Sequence, residues 1–272
     1  MTQSSAAATG PSIAAIHRYP VKSMMGESLN ATAIGPLGLV GDRKFALGDA
    51  NTGKVVSAKN PGKWPNLFSF RAAFSPPSTQ GPVLVTLPDG RILSSEDPQL
   101  PQTLSAALGR EVKLMSTAPA AAQLEEYWPD MPELPNRGVV TDENLPPGTF
   151  FDCAILHLLT TATLDQLRSL YPAGRFEPRR FRPNLIVTTP AGENGFIENS
   201  WIGHEVMIGP EVRLKITGPC PRCVMTTLAQ DDLPRDPAVL RTAAQHNQAH
   251  VGVYASVVRG GEVRRGDSVT VL

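Results

Sequence analysis

Two of the chain's three cysteines stand three residues apart in Gly218-Pro219-Cys220-Pro221-Arg222-Cys223, at the end of the apolar segment from Val212 to Ile216. A thiolate beside the Arg222 guanidinium is favoured as the anion, the state that attacks a disulfide or ligates a soft metal. Four readings are open. A structural zinc site takes four ligands, usually as two close pairs, and Cys153 with five scattered histidines offers no second pair. A thioredoxin-like dithiol wants its pair at the start of a helix, whereas Val224-Met225-Thr226-Thr227-Leu228 reads as extended and β-branched. Two small cysteines can simply be buried, as free cysteines often are. The fourth reading is one thiolate ligating a transition metal carried by an organic cofactor, and the rest of the chain must then supply groups to hold that cofactor.

A chain of 272 residues, 41% of them hydrophobic, can build one large or two modest domains with their own cores. Its 25 basic and 25 acidic residues balance, so neither non-specific nucleic-acid binding nor attraction to an anionic membrane is expected. No apolar run approaches the roughly 20 residues of a membrane span. Residues 1–10 are small and polar, lack a basic start and an apolar stretch, and read as a disordered tail. Three cysteines make no disulfide framework, which points to a reducing cytoplasm, and are too few for an iron-sulfur centre of the plant type.

The elements that must position the sulfur are mainly strands. Twenty-six prolines and 23 glycines punctuate short β-branched runs. Residues 13–19 and 29–34 alternate as strands, 45–49 and 54–57 read as a hairpin, and 83–87 and 91–94 flank an Asp-Gly turn. A short amphipathic helix over 99–108 ends at Gly109 and a strand returns over 111–116. Residues 11–118 are thus predicted as a β-barrel-like module, and 119–148, rich in Ala, Pro and acidic residues around Trp128, as an irregular connector of which part pairs with a sheet. Residues 149–272 open with a strand over 154–159. Leu164, Leu167, Leu170 and Tyr171 then recur at helical spacing behind a threonine cap. Strands over 185–189, 205–208, 212–216, 252–258 and 268–272 and a helix over 237–245 complete a mainly β, α+β chain: two β-barrel modules, the second with a few packed helices.

Four further stretches are richer in cations and hydroxyls than a turn requires: Tyr19-Pro20-Val21-Lys22-Ser23, Gly41-Asp42-Arg43-Lys44, the threonines Thr160, Thr161 and Thr163 at a helix start, and Arg179-Arg180-Phe181-Arg182-Pro183-Asn184. Singly, each is an ordinary surface lysine, salt bridge, helix cap or basic turn. Together they suit one anionic ligand rich in heteroatoms.

The Tyr-Pro-Val-Lys-Ser turn and Gly-Asp-Arg resemble the N-terminal β-barrel module that precedes the MOSC domain, named for the C-terminus of molybdenum cofactor sulfurase. Leu158 to Leu164, Phe181-Arg182-Pro183-Asn184, Cys220-Pro221-Arg222-Cys223 and Gly266-Asp267-Ser268-Val269 resemble the MOSC domain itself, in the pattern of the mitochondrial amidoxime-reducing component and its bacterial counterparts. The resemblance runs from about Ile13 to Leu272. It implies a molybdenum pterin cofactor at the seam of the two modules, with Cys223 as metal ligand and central catalytic residue. Lys22, Ser23 and Arg43 from the first module and Thr160, Thr161, Arg182, Asn184 and Arg222 from the second would be cofactor contacts, Arg222 balancing thiolate charge and Trp201 walling the pocket. A soft dithiolene-bound metal accepts a thiolate, and phosphate and pterin edges want cations, hydroxyls and an amide.

The expected activity is oxygen removal from small N-hydroxylated compounds such as amidoximes or hydroxylamines. No iron-sulfur extension is seen after Leu272 and no membrane anchor before Ile13, so an external electron donor of flavoprotein, ferredoxin or cytochrome type is expected. Two rivals stand: a carrier delivering the cofactor, or sulfur as a Cys223 persulfide, to another enzyme, and a dithiol module using Cys220 with Cys223.

Overall fold

The computed structural model describes residues 10–75, 81–190 and 192–272, and the expected tail, residues 1–10, lies outside these except for Gly10. Apolar alternation turns Ser12–Arg18 into a strand that buries Ile13 and Ile16. That strand does not stay with the first half. It pairs antiparallel with Leu185–Thr188 in an eight-stranded sheet whose order is Val269–Val271, Glu205–Ile208, Val212–Pro221, His250–Arg259, Leu156–Thr160, Leu185–Thr188, Ser12–Arg18, Glu27–Leu29. Leu156–Thr160 and Leu185–Thr188 run parallel, which requires a crossover, and the helix Thr161–Leu170 lies on it. Ala31–Gly35 pairs in turn with Gly261–Arg264, so Ile34 and Leu39 enter the same core as Leu158, Val212 and Val253.

A second core belongs to the first half. The strands Arg71–Phe74, Val83–Thr86 and Ile92–Ser94 form a meander, the last two joined by the expected tight turn. The helix Leu100–Leu108 seals it with Leu100, Leu104 and Leu108, one helical turn apart, and ends at Gly109 in the left-handed conformation. The turn after Ala46–Asp49 forms, held by the Asp49 carboxylate, which accepts from the Asn51 N–H and the Thr52 hydroxyl. The ladder partner of Ala46–Asp49, however, is Val112–Met115, and residues 54–57 contribute only the bridges Gly48 to Val55 and Val55 to Leu124.

Residues 119–148, read as a connector with some pairing, hold an antiparallel hairpin of Gln123–Trp128 and Val139–Asn144. A correction concerns the segment after Cys223. Val224–Thr227 is a 3-10 turn rather than a strand, because the Thr226 and Thr227 hydroxyls donate to the carbonyls of Cys223 and Val224 three residues back. Among the described residues, no helix is long and apolar enough to cross a membrane.

Candidate functional site

The strand Val212–Pro221 loses its regular register at Gly218 and again between Pro219 and Pro221, where two prolines withhold ladder donors. The chain is re-anchored by the Arg222 N–H, which donates to the Ala249 carbonyl at 2.7 Å, and Cys223 then starts the 3-10 turn. This break turns Cys223 into a cavity of about 480 Å³ lined from both halves of the chain, while Cys220 stays fully buried behind it.

Seven of the nine residues singled out for cofactor or metal line that cavity: Lys22, Ser23 and Arg43 from the first half, and Arg182, Asn184, Arg222 and Cys223 from the second. Lys22 is drawn in by Asp152 and by the Phe150 carbonyl, each at 2.6 Å. Burial lowers its proton affinity, and the Asp152 charge only partly restores it. Arg43 pairs with Asp42 and lies over the Tyr19 ring, while Arg182 covers the other tyrosine contact, its guanidinium carbon 4.1 Å from the ring centroid. Arg182 donates to the Met24 carbonyl at 2.7 Å and has no carboxylate in ion-pair range among the described residues. Burial, then the Arg43 charge, push its value down to about 10.

Backbone conformation marks the same place. Among the described residues seven other than glycine have φ in the left-handed region, and five of them, Ser23, Arg43, Arg182, Gln248 and Ala249, line this cavity. Such a conformation costs of order 1 kcal/mol or more per residue and persists where surrounding structure over-determines it, typically at ligand sites.

Three expectations are corrected. Thr160 and Thr161 are not in the cavity wall. Thr160 caps the helix Thr161–Leu170 and donates to the buried Glu198 at 2.6 Å, and Thr161 pairs with the Thr189 hydroxyl, so both hydroxyls are occupied. Arg222 makes its sulfur contact with Cys220 and acts on Cys223 through its charge alone. Its Nη1 donates to Cys220 Sγ at 2.6 Å and its Nη2 to the Phe181 carbonyl, leaving Nε buried without a partner. Burial alone would raise Cys220, but the Arg222 charge and then the adjacent His157 outweigh it and hold the thiol down at about 6. Cys223 moves the other way, pushed up to about 11 by burial despite the opposing Lys59 charge. Trp201 packs in the core of the eight-stranded sheet rather than against the cavity. Asn184 is at the wall, yet its amide is already spent: Oδ1 accepts from the His157 N–H, and Nδ2 donates to Asp42 and the His17 carbonyl.

Sequence reasoning passed over Lys59, Glu126 and Asp152. Lys59 donates to Glu126 at 2.9 Å. Burial opposes its charge, but Asp152, Cys223 and Glu126 together hold it well above the usual lysine range. Glu126 and Trp128 share one face of the hairpin strand, a period-2 signal in Gln123–Trp128 that was available in the sequence.

Residues 10–125 match the MOSC N-terminal beta barrel domain and residues 146–270 the MOSC domain. The chain is 32% identical to the mitochondrial amidoxime reducing component 2 of Rattus norvegicus over 133 residues, 43% of this chain and 37% of that protein. It is 35% identical to the molybdenum cofactor sulfurase of Bombyx mori over 94 residues, 34% of this chain and 10% of that protein. The match therefore spans well under half of these relatives' length. The YUAD protein from Bacillus subtilis overlays 95% of this chain and 93% of its own at 12% identity and a TM-score of 0.48. On the two matched domains, the chain belongs to the MOSC-domain proteins, with a MOSC N-terminal beta barrel domain ahead of the MOSC domain.

Proposed function

We propose that the chain binds a molybdenum pterin cofactor in this cavity and reduces N-hydroxylated compounds such as amidoximes or hydroxylamines. The observation behind this reading is the thiol of Cys223, half-buried in a cavity to which both halves of the chain contribute cations; the second thiol on its lining, Cys153, is exposed. The residues fit such a group. Arg182 lacks a carboxylate partner, Arg222 Nε is buried and unsatisfied, and an anionic, heteroatom-rich ligand would answer both. Among the described residues no group of three or more His, Cys, Asp or Glu could hold a metal, so a metal at Cys223 would draw other ligands from an organic partner.

In this reading Cys223 ligates the metal, Lys22, Arg43 and Arg182 bind the anionic portion, and Ser23, Asn184 and Arg222 shape the floor. Bound there, the cofactor would supply two-electron redox chemistry, replenished by an external donor of flavoprotein, ferredoxin or cytochrome type. Cys223 must lose its Sγ proton to serve as a ligand, and the Lys59 ammonium, whose charge counters burial at that sulfur, favours the loss. The Asp42, Asn184 and His157 bonds hold the floor rigid, which keeps bound groups in one orientation.

The test is molybdenum and pterin per chain, on protein from a host that makes the cofactor, with turnover of N-hydroxylated compounds under an artificial reductant. Near-stoichiometric metal that falls sharply in Cys223→Ser is expected. A larger fall in Cys220→Ser, or absence of metal and pterin in a host that loads other molybdenum enzymes, would overturn the reading. The similarity to a sulfurase favours the carrier as second reading. A carrier would release cofactor to an apo-enzyme and show no turnover.

A further inference from the structure

Tyr19 is buried outside the lining of the Cys223 cavity, yet two guanidinium groups of that lining rest on its ring. The Arg43 guanidinium carbon is 4.6 Å from the ring centroid and that of Arg182 is 4.1 Å from it, so one cation comes from each half of the chain. Backbone and hydroxyl fasten the ring between those halves. The Tyr19 N–H donates to Asp42 Oδ1 at 2.7 Å, and the Tyr19 carbonyl accepts from the Arg43 N–H at 2.9 Å. Its hydroxyl donates to the carbonyl of Pro183, the residue after Arg182, at 3.3 Å.

Without a ligand this arrangement is unfavourable. Like charges gathered on one ring repel, and the Arg43 charge is second only to burial in lowering the proton affinity of Arg182. Asp42 offers no relief to Arg182, because Oδ1 is taken by the Tyr19 N–H and Oδ2 by Arg43 and Asn184. Arg182 is left with the Met24 carbonyl, the Tyr19 ring and the Phe68 ring, whose centroid is 5.5 Å away. An aromatic face attracts a guanidinium without bringing a negative charge, so the cation stays free to pair with an incoming anion. A carboxylate in the same place would neutralise the pair and repel that anion. An aliphatic side chain would let the two groups part.

We propose that Tyr19 is a positioning residue, its ring holding Arg43 and Arg182 together as a preformed pair of donors for one anionic group of the phosphate-ester class. The inference rests on the reading in which these arginines bind the anionic portion of the ligand, and it adds the device that keeps them in place before the ligand arrives. Pre-set donors lose little freedom on binding, which is where the gain in affinity lies.

The test is phosphate binding by the full chain, made in a host without the cofactor. It is read as the rise in melting temperature with inorganic phosphate against chloride at equal ionic strength. The unaltered chain and Tyr19→Phe, which keeps the ring, are expected to bind phosphate alike, and Tyr19→Leu about tenfold or more weakly. Trifluorinated phenylalanine at position 19 keeps the shape of the ring but removes its negative face. It is expected to weaken binding as leucine does, so the outcome does not depend on the leucine variant folding. Unchanged phosphate affinity with the fluorinated ring, or in a cooperatively melting Tyr19→Leu protein, would overturn the proposal. So would loss of binding in Tyr19→Phe, which would assign the role to the hydroxyl. Arg182→Gln separates this inference from the reading beneath it. If phosphate stabilises that variant as much as the unaltered chain, the anion-binding reading falls and the inference with it. If Arg182→Gln loses the effect while the leucine and fluorinated variants keep it, the reading stands and the role of Tyr19 alone fails.

Discussion

Cys220 and Cys223 are three residues apart and chemically opposite. Cys220 meets a guanidinium inside a packed sheet, and its anion is the favoured form. Cys223 meets the cavity, where burial favours the neutral thiol until something replaces its proton. Because the folded value of Cys220 lies below that of an ordinary thiol, its pair with Arg222 stabilises the fold fully at alkaline pH. That contribution fades as pH falls through about 6. Ultraviolet thiolate absorbance of the metal-free protein is accordingly expected to rise around pH 6, to vanish there in Cys220→Ser and to persist in Cys223→Ser. A first thiolate step appearing only in the ordinary thiol range would contradict the assignment of Arg222 to Cys220.

At the scale of elements, what holds the Cys223 turn is a cation outside the lining of the Cys223 cavity. Arg180 is fully buried and donates to four carbonyls: Arg175 on its own loop, and Thr226, Leu228 and Pro234 on the segment just after Cys223. It clamps the short helix Pro178–Phe181 to the 3-10 turn Val224–Thr227, and with it fixes the direction from which Cys223 enters the cavity. Replacing it by Arg180→Met keeps much of the volume but leaves those carbonyls without their donor. A loss of about 3 kcal/mol or more is expected in denaturant unfolding, given the usual cost of unsatisfied buried partners of a charged group. A change under about 1 kcal/mol would show that water or a neighbour takes over the role.

At the scale of the whole molecule, the two matched domains are not two separable folding units. Ser12–Arg18 is a strand of the sheet built mostly from the second half, and Ile13, Ile16, Ile34 and Leu39 fill that sheet's core. A fragment of residues 146–272 would leave Leu185–Thr188 as an unpaired apolar edge and open the core where these side chains belong. Such a fragment is expected to aggregate or to melt without a cooperative transition, followed by circular dichroism. Independent, cooperative folding of that fragment would show the N-terminal strands to be accessory. The same interleaving explains the site: residues 22, 23 and 43 reach the cavity because Ser12–Arg18 before them and Ala31–Gly35 between them are tied into the partner half.

Strand and helix periodicity was readable from residue order because it depends on neighbours two to four apart. The Asp-Gly hairpin, the helix ending at Gly109 and the threonine cap before Leu164 all rest on such local rules. The basic turns and the cysteine pair were legible too, as residue types suited to an anionic ligand and a soft metal. Three things were not local and could not be read that way. The exchange of partner by Ala46–Asp49 and the insertion of Ser12–Arg18 into a distant sheet depend on pairings more than 60 residues apart. The roles of Thr160 and Asn184 depended on whether their polar atoms were already taken, by Glu198 in one case and by Asp42, His17 and His157 in the other. Which sulfur meets Arg222 was settled by a register break in the strand Val212–Pro221, where one step of chain sends one cysteine into the core and the other into the cavity.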